Sequence, residues 1–441
     1  MPNGKKRLHR LFFPIYFEIL CSMLTGTVDT LMLSSEGDQA VGAVGTANSY
    51  ISVFVIMFSI ISSGMVAVMT QYIGAKRPGV AQQALRLGLL FNLVTGIVIS
   101  TVLYCFAEPI LKTVGIAEQL LAPATIYLQT VGLFCICNAL TPIFSSYLRA
   151  FGHTAPTLSG TILANVVNVG LNALFLFVMD WGVLGVALAT GISRVVNLLW
   201  VMLVARHRIR PVREANPPEN KEIFSKIIRV GLPAAMETSL YNLAISIVIS
   251  LLNRMDETGM QATARAYAMQ ITNFSFCAGA ALAQANAIMV GWRIGSKELT
   301  ECDRDTRKAA LIGISLGVGT ASLFALFSRP ILSLFTDDPQ MVRLVSILLI
   351  VDIVLEVGRM TNMIFGFALK TSGDALYPMI IAVVFAFVCA AGGTWYFGIH
   401  HGLLAVGAYI AMALDECVRA LFMFLRWNKG HWKKKNLLTA K

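Results

Sequence analysis

Charge is what this sequence has least of. Of its 441 residues only 13% are Asp, Glu, Lys or Arg, while 56% are hydrophobic; an ordinary soluble domain carries roughly 25% charged residues. That shortage excludes a soluble globular fold and points to a chain that lives in a bilayer. The eight cysteines are scattered, with no CxxC and no Cys/His cluster at metal-ligand spacing, so neither a zinc site nor a disulfide framework is expected. Equally missing are a Walker loop, a GxSxG elbow and any soluble stretch long enough to hold a nucleotide. The glycine-rich "GAKRPG" lacks the GK[ST] of a phosphate loop and reads as a turn. No enzyme and no cofactor are expected, and the energy for any transport has to come from an ion gradient.

Apolar stretches of about 20 residues recur from Leu11 to Leu425, the length a helix needs to cross a hydrocarbon core roughly 30 Å thick. Helices are required, because open sheets leave backbone groups unbonded in lipid. The expected spans are 11–33, 46–73, 85–107, 121–148, 157–179 and 183–205 in the first half. Those of the second half are 227–253, 263–292, 308–328, 341–369, 376–397 and 402–426, which makes twelve. The basic start "KKRLHR" resembles a signal peptide, but no small-residue cleavage site follows it, so the first run is read as helix one. About 27 of the 35 Lys and Arg fall on one side of this topology, which places both termini in the cytoplasm and the chain in the cell membrane. About five, Lys112, Arg254, Arg265, Arg329 and Arg343, fall on the other, and Arg194, Arg359 and Arg419 lie within helices. The net charge of +11 then calls for membrane lipid as partner and not nucleic acid, with "WNKGHWKKK" resting on anionic headgroups.

The two halves repeat one plan. "VMTQYIGAK" (68–76) resembles "MVGWRIGSK" (289–297) at an offset of 221, and the same offset lays "FAEPIL" on "FSRPIL", Arg149 on Lys370 and Gly152 on Gly373. At an offset of 219, Pro14 and Glu18 fall on Pro233 and Glu237. Six spans per half is an even number, so the repeats are parallel. The expected organisation is a six-helix bundle over 1–205, a cytoplasmic linker over 206–226, a second bundle over 227–428 and a basic cytoplasmic tail over 429–441.

Ionisable residues inside spans are costly and mark function or pairing. Glu18 and Asp29, eleven residues apart, return to within about 20° of one helix face, so that face looks into protein or water. Glu18 either stabilises the helix start or takes part in function. Asp29 has no cation at i±3 or i±4; its charge costs on the order of 2.5 to 3.5 kcal/mol in the bilayer, a cost that a bound proton or cation removes. On helix five Asn168 and Asn172 share a face one turn apart, and helix six offers Thr190. Helix ten carries Asp352, Glu356, Arg359 and Asn362 as a polar stripe, in which Glu356 is expected to pair with Arg359 and leave Asp352 without a cation. Asp415 and Arg419 read as a structural pair, and Glu237 repeats the Glu18 position.

"PIYFEILCSMLTGTVDTLMLSSEGDQAVGAVG" resembles the first helix and following loop of the multidrug and toxic compound extrusion (MATE) family. "MTQYIGAK", "LRAFGHTAP", "GVLGVALAT", "GLPAAMETSL", "LEVGRMTN", "LKTSGDALYP" and "DECVRALFMFLRWNKGHW" extend the likeness over essentially the whole chain. The resemblance implies an all-α polytopic fold of twelve transmembrane helices, two six-helix bundles around a central cavity, in a monomer. It implies an antiporter that exports small organic cations in exchange for protons or sodium. Asp29 would be the residue that binds the proton or a transient Na⁺, with Asn168, Asn172 and Thr190 beside it. Relatives often carry an aspartate where Asn172 stands, so this chain keeps one carboxylate in that cluster, which favours a proton over sodium. Other members use carboxylates of helices seven and ten, a part for which Glu237 and Glu356 are the candidates. A lipid-linked precursor flippase of the same superfamily is the alternative, although that type has a cavity rich in arginine.

Overall fold

The computed structural model describes residues 8–438 except 114, 213 and 257; the lysines and Arg7 of the basic start and the last three residues lie outside the described residues. A backbone in hydrocarbon must bond within its own segment, and the described chain accordingly runs as helices: α1 Leu8–Leu33, α2 Asp38–Gly74, α3 Pro78–Cys105, short α4 Ala107–Thr113, α5 Glu118–Leu133, α6 Cys135–Ala150, α7 Ala155–Ala173 and α8 Gly182–Arg208. There follow α9 Asn220–Arg254, α10 Met260–Gly295, α11 Leu299–Leu326, short α12 Ser328–Leu332, α13 Pro339–Ser372, α14 Leu376–Phe385 and α15 Leu404–Asn428. Wide π-turns continue α7 over Leu174–Val178 and α14 over Ala386–Gly392 and Thr394–His400. Among the described residues nine helices are long and apolar enough to span on composition alone, and the bent pair α5–α6 makes ten. The eleventh and twelfth spans are α13 and α15, whose buried charges mask their hydropathy.

Contacts divide the chain between Gly231 and Leu232 into two compact units. The sequence repeat is also a structural one. Gly152 and Gly373, 221 residues apart, turn the chain with φ of 77° and 100°, in the left-handed region that glycine enters without a steric penalty. Lys76 and Lys297, at the same offset, share φ of 64° and 63°. The motifs "FAEPIL" and "FSRPIL" both form the short helices α4 and α12. Each half also closes the same ion pair. Arg149 of α6 meets Glu18 of α1 at 2.7 Å, and Lys370 of α13 meets Glu237 of α9 at 3.0 Å.

Glu18 therefore does not cap a helix start. It sits more than two turns inside α1, where it also accepts a hydrogen bond from Thr157 of α7 at 2.6 Å. The expected span 121–148 is broken at Phe134 into α5 and α6, bent by 44°. The Phe134 ring lies on Gly191 of α8, where even a methyl group would sit 2.2 Å from it; an intact helix would carry that ring elsewhere. The linker is clasped onto the α2–α3 turn, with Arg77 bound to Glu214 at 2.9 Å and to the carbonyl of Asn216 at 2.7 Å. The basic tail is a docked element: Trp432 is fully buried and stacks on Trp427 at 4.2 Å between centroids. Lys435 reaches Asp374 at 2.6 Å and Arg426 reaches the same carboxylate at 2.8 Å. Lys433 and Lys434 stay exposed and are free to face headgroups.

Small residues let membrane helices approach closely. The tightest crossing in the first unit is that of α2 with the start of α9: a Cβ on Gly231 would lie 1.8 Å from the Ile60 carbonyl oxygen, and one on Gly64 would lie 2.1 Å from that of Ile227. Gly231→Val is expected to destabilise the detergent-solubilised protein by about 3 kcal/mol or more, measured as a fall in melting temperature. Gly26→Ala, with nothing within 4 Å, is the tolerated control.

Asp374 lies between α13 and α14. Burial alone would raise its carboxyl, but the bonds and charges of Arg426 and Lys435 outweigh that and hold it below the usual carboxylate range. A lowered folded value means that the stabilisation is present at neutral pH and is lost only as the pH falls through that value. Asp374→Asn is expected to cost about 2 kcal/mol at pH 7, read from the same melting assay, with the difference from wild type vanishing in strong acid.

Candidate functional site

In the first unit, α1 packs along α7 through three polar contacts. Near one end Glu18 meets Thr157; near the other Asn172 Nδ2 donates to Asp29 Oδ1 at 2.7 Å. The shared face read from the eleven-residue spacing is therefore the face that α1 turns to α7. Between these contacts Asn165 Nδ2 donates to the Cys21 carbonyl at 3.0 Å. Asn172 also approaches Asn168 Oδ1 at 3.4 Å, and both amides are buried to 1% or less. Asp29 is half-buried. Asn172 Oδ1 and Thr190 Oγ1 are both buried without a hydrogen-bond partner.

Behind this pair stand groups that sequence spacing did not bring in. The Tyr127 hydroxyl of α5 donates to Asn48 of α2 at 3.3 Å and interacts with Thr190 of α8. One turn on from Thr190, Arg194 acts electrostatically on Asp29, and its Nη1 has no hydrogen-bond partner. Asp29 is thus not remote from cations, as its own helix suggested; the nearby charge comes from α8. Thr190 and Arg194 stand four apart and share a face of α8, a signal that was present in the sequence for an arginine known to lie within a span. The four residues Asp29, Asn168, Asn172 and Thr190 come together in one region. The cluster offers one carboxylate, two amides and a hydroxyl, a set able to hold a proton on Asp29 or to present oxygen atoms to a small cation.

The second unit is built differently. Arg359 binds Glu356 directly and reaches Asp352 at 3.9 Å. Asp352 therefore shares the cation it was expected to lack, because i and i+7 lie on one face two turns apart. The Asp415–Arg419 pair closes at 2.6 Å and gains Glu416 at 2.7 Å. Glu416 also accepts from Asn362 at 2.9 Å, which ties α15 to the polar stripe of α13. Gly358 makes this possible: its missing side chain lets the α15 backbone at Glu416 and Cys417 approach to where a Cβ would meet it at 2.6 Å. Arg419 caps the network from above the Tyr241 ring, 4.9 Å from its centroid. Glu237 is not part of this network; it is held by Lys370. These groups line or adjoin a cavity of about 470 Å³ inside the unit. Arg265, counted from sequence among the loop cations opposite the basic loops, is instead 8% exposed and lines that cavity. Among the described residues no group of three or more His, Cys, Asp or Glu is placed to hold a metal ion.

Comparison with known proteins meets the same duplicated pattern. The family model MatE matches residues 14–174 and again 233–395, starting points 219 residues apart, the offset that aligns Glu18 with Glu237. Over 98% of this chain and 95% of its own length, an "uncharacterized transporter", YisQ of Bacillus subtilis strain 168, is 31% identical. A "probable multidrug resistance protein NorM" of Thermotoga maritima is 24% identical over 100% of this chain and 95% of its own. Among solved structures, a MATE protein in a bent conformation superposes with a TM-score of 0.89 at 20% identity, covering 98% of this chain and 97% of that one. A MATE family transporter of the MOP superfamily in an outward-facing conformation gives 0.88 at 20% identity, with coverage of 99% and 97%. With both halves matched by one family model and the full length shared with a transporter, the chain belongs to the MatE family and is a multi-pass membrane transporter, not an enzyme.

Proposed function

We propose that this transporter is a proton-coupled antiporter that exports small organic, mostly cationic compounds across the cell membrane, with both termini cytoplasmic and Asp29 as the coupling residue. The multidrug resistance proteins among its relatives support the cargo class. The observation that carries the coupling is the single carboxylate of the cluster, held by one amide donor at 2.7 Å in a largely desolvated setting. One negative charge binds one proton stoichiometrically. It gives sodium only half the charge that a pair of carboxylates would, and the cation on Arg194 disfavours a metal ion further.

The cycle follows from charge balance. Ionised Asp29 attracts a cationic cargo; a proton arriving from the more acidic side cancels that charge, and the cargo is released there. Asn172 steadies the ionised form by donating to it, while Asn168 fixes the orientation of that amide. Thr190 and Tyr127 keep the pocket polar. Glu237, Asp352, Glu356, Asp415 and Glu416 of the second unit each have an arginine or lysine partner, so they serve best as architecture around that unit's cavity.

In proteoliposomes loaded with a fluorescent organic cation, an imposed pH gradient should drive transport by the wild type. Asp29→Asn should lower that rate at least tenfold while inserting at the same level; undiminished transport by this variant would remove the coupling role. Asn172→Asp supplies a second carboxylate and is expected to confer stimulation by a sodium gradient that the wild type lacks, tested with the two gradients applied separately.

A further inference from the structure

We propose that the C-terminal unit contains a binding site for the carboxylate of a small apolar organic acid, with Arg265 as the residue that holds it. The site lies in the unit that does not contain Asp29 and does not depend on the coupling role given to that residue.

Arg265 is the sixth residue of α10. An arginine so near a helix end ordinarily stretches its stem and carries its charge out to the interface. This one stays inside, 8% exposed, and is among the residues that line the 470 Å³ cavity. Its Nε has no hydrogen-bond partner, and among the described residues no carboxylate stands within ion-pair distance of it. The contrast with its neighbours is chemical: Arg359, Arg419 and Lys370 line the same cavity and each is bound to acids of this unit. The acid that shares its surroundings at Tyr409, Asp352, is engaged by Arg359. A buried charge without a partner is strongly unfavourable, and the cavity is the direction from which a partner can come.

The partner's chemistry follows from the shape and lining. The planar guanidinium fork matches a carboxylate through two parallel hydrogen bonds. The volume lies within the range of about 300 to 1,000 Å³ typical of small-molecule pockets, far more than a bare inorganic anion fills. Phe276, Met269 and Met412 supply an apolar and adaptable wall, suited to an aromatic or aliphatic body. Glu237 and Glu416 also face the cavity, but each is paired with a cation of the same wall, so neither opposes a carboxylate at Arg265.

The test uses the full chain in phosphatidylcholine nanodiscs without any gradient, titrated with dansylglycine and, in parallel, with its uncharged amide. The acid should bind saturably and at least tenfold more tightly than the amide. Arg265→Gln should bring the acid down to the level of the amide, Arg265→Lys should retain part of the preference, and Arg254→Gln, which removes an exposed cation at the end of α9, should change nothing. Asp29→Asn should bind the acid as the wild type does, which separates this site from the coupling reading. Equal binding of acid and amide by the wild type overturns the proposal whether or not any variant folds, as does wild-type affinity in a folded Arg265→Gln.

Discussion

A charge inside hydrocarbon must be met by another group of the same protein, and the architecture of this chain is organised by that requirement. Desolvating an ion costs several kcal/mol even after relaxation, a large share of the roughly 5 to 15 kcal/mol by which folded proteins are stable. Glu18 is answered by Arg149 and Thr157, Glu237 by Lys370, and Asp415 and Glu416 by Arg419. Each answer comes from a different helix or from the next turn of the same one, so every pairing also fixes a helix position. Packing then follows: the close crossing at Gly358 exists where α13 and α15 must bring their charges into register. Among the described residues some charged groups are incompletely answered, and two of them, Asp29 with a single amide donor and Arg265 with its Nε unbonded, are the groups for which a ligand role is proposed.

Much of this was legible in the sequence, because membrane helices write their length and their polar faces directly into hydropathy. The twelve spans, the duplication and the common face of Glu18 and Asp29 all rest on period and offset, and those survive without knowledge of neighbours. Asp29, Asn172, Asn168 and Thr190 could be grouped only through family likeness, since their helices are far apart in the chain. What spacing could not supply was the partner across the helix interface. Arg194 lies 165 positions beyond Asp29, and nothing local joins them. Arg265 lies near the start of the expected span 263–292, and position along a span does not say whether a side chain turns to a loop or to a cavity; the helix begins at Met260 and holds it inside. The break at Phe134 has no signal within its own helix, because the glycine its ring lies against, Gly191, belongs to another. The charge of the tail gave no sign of the docking of Trp432 and Lys435 onto its own unit, which the two tryptophans of that stretch make possible.

The two units share their frame and differ in their interior. Frame features fall at constant offset, among them Gly152 with Gly373, Lys76 with Lys297, and α4 with α12. Interior features do not: at the same offsets Val248 stands opposite Asp29, while Val131 and Cys135 stand opposite Asp352 and Glu356. One unit therefore keeps a solitary acid among amides, and the other a dense network of acids and arginines around a cavity. Chemistry has been assigned separately to the two halves of a common scaffold.

The matched pairs Glu18–Arg149 and Glu237–Lys370 have a historical consequence. Residues that occupy equivalent places in both copies of an internally duplicated chain descend from a single half-length ancestor. The pair of opposite charges was therefore already encoded before the gene doubled, whereas Asp29 and Arg265, each confined to one copy, record the divergence that came afterwards.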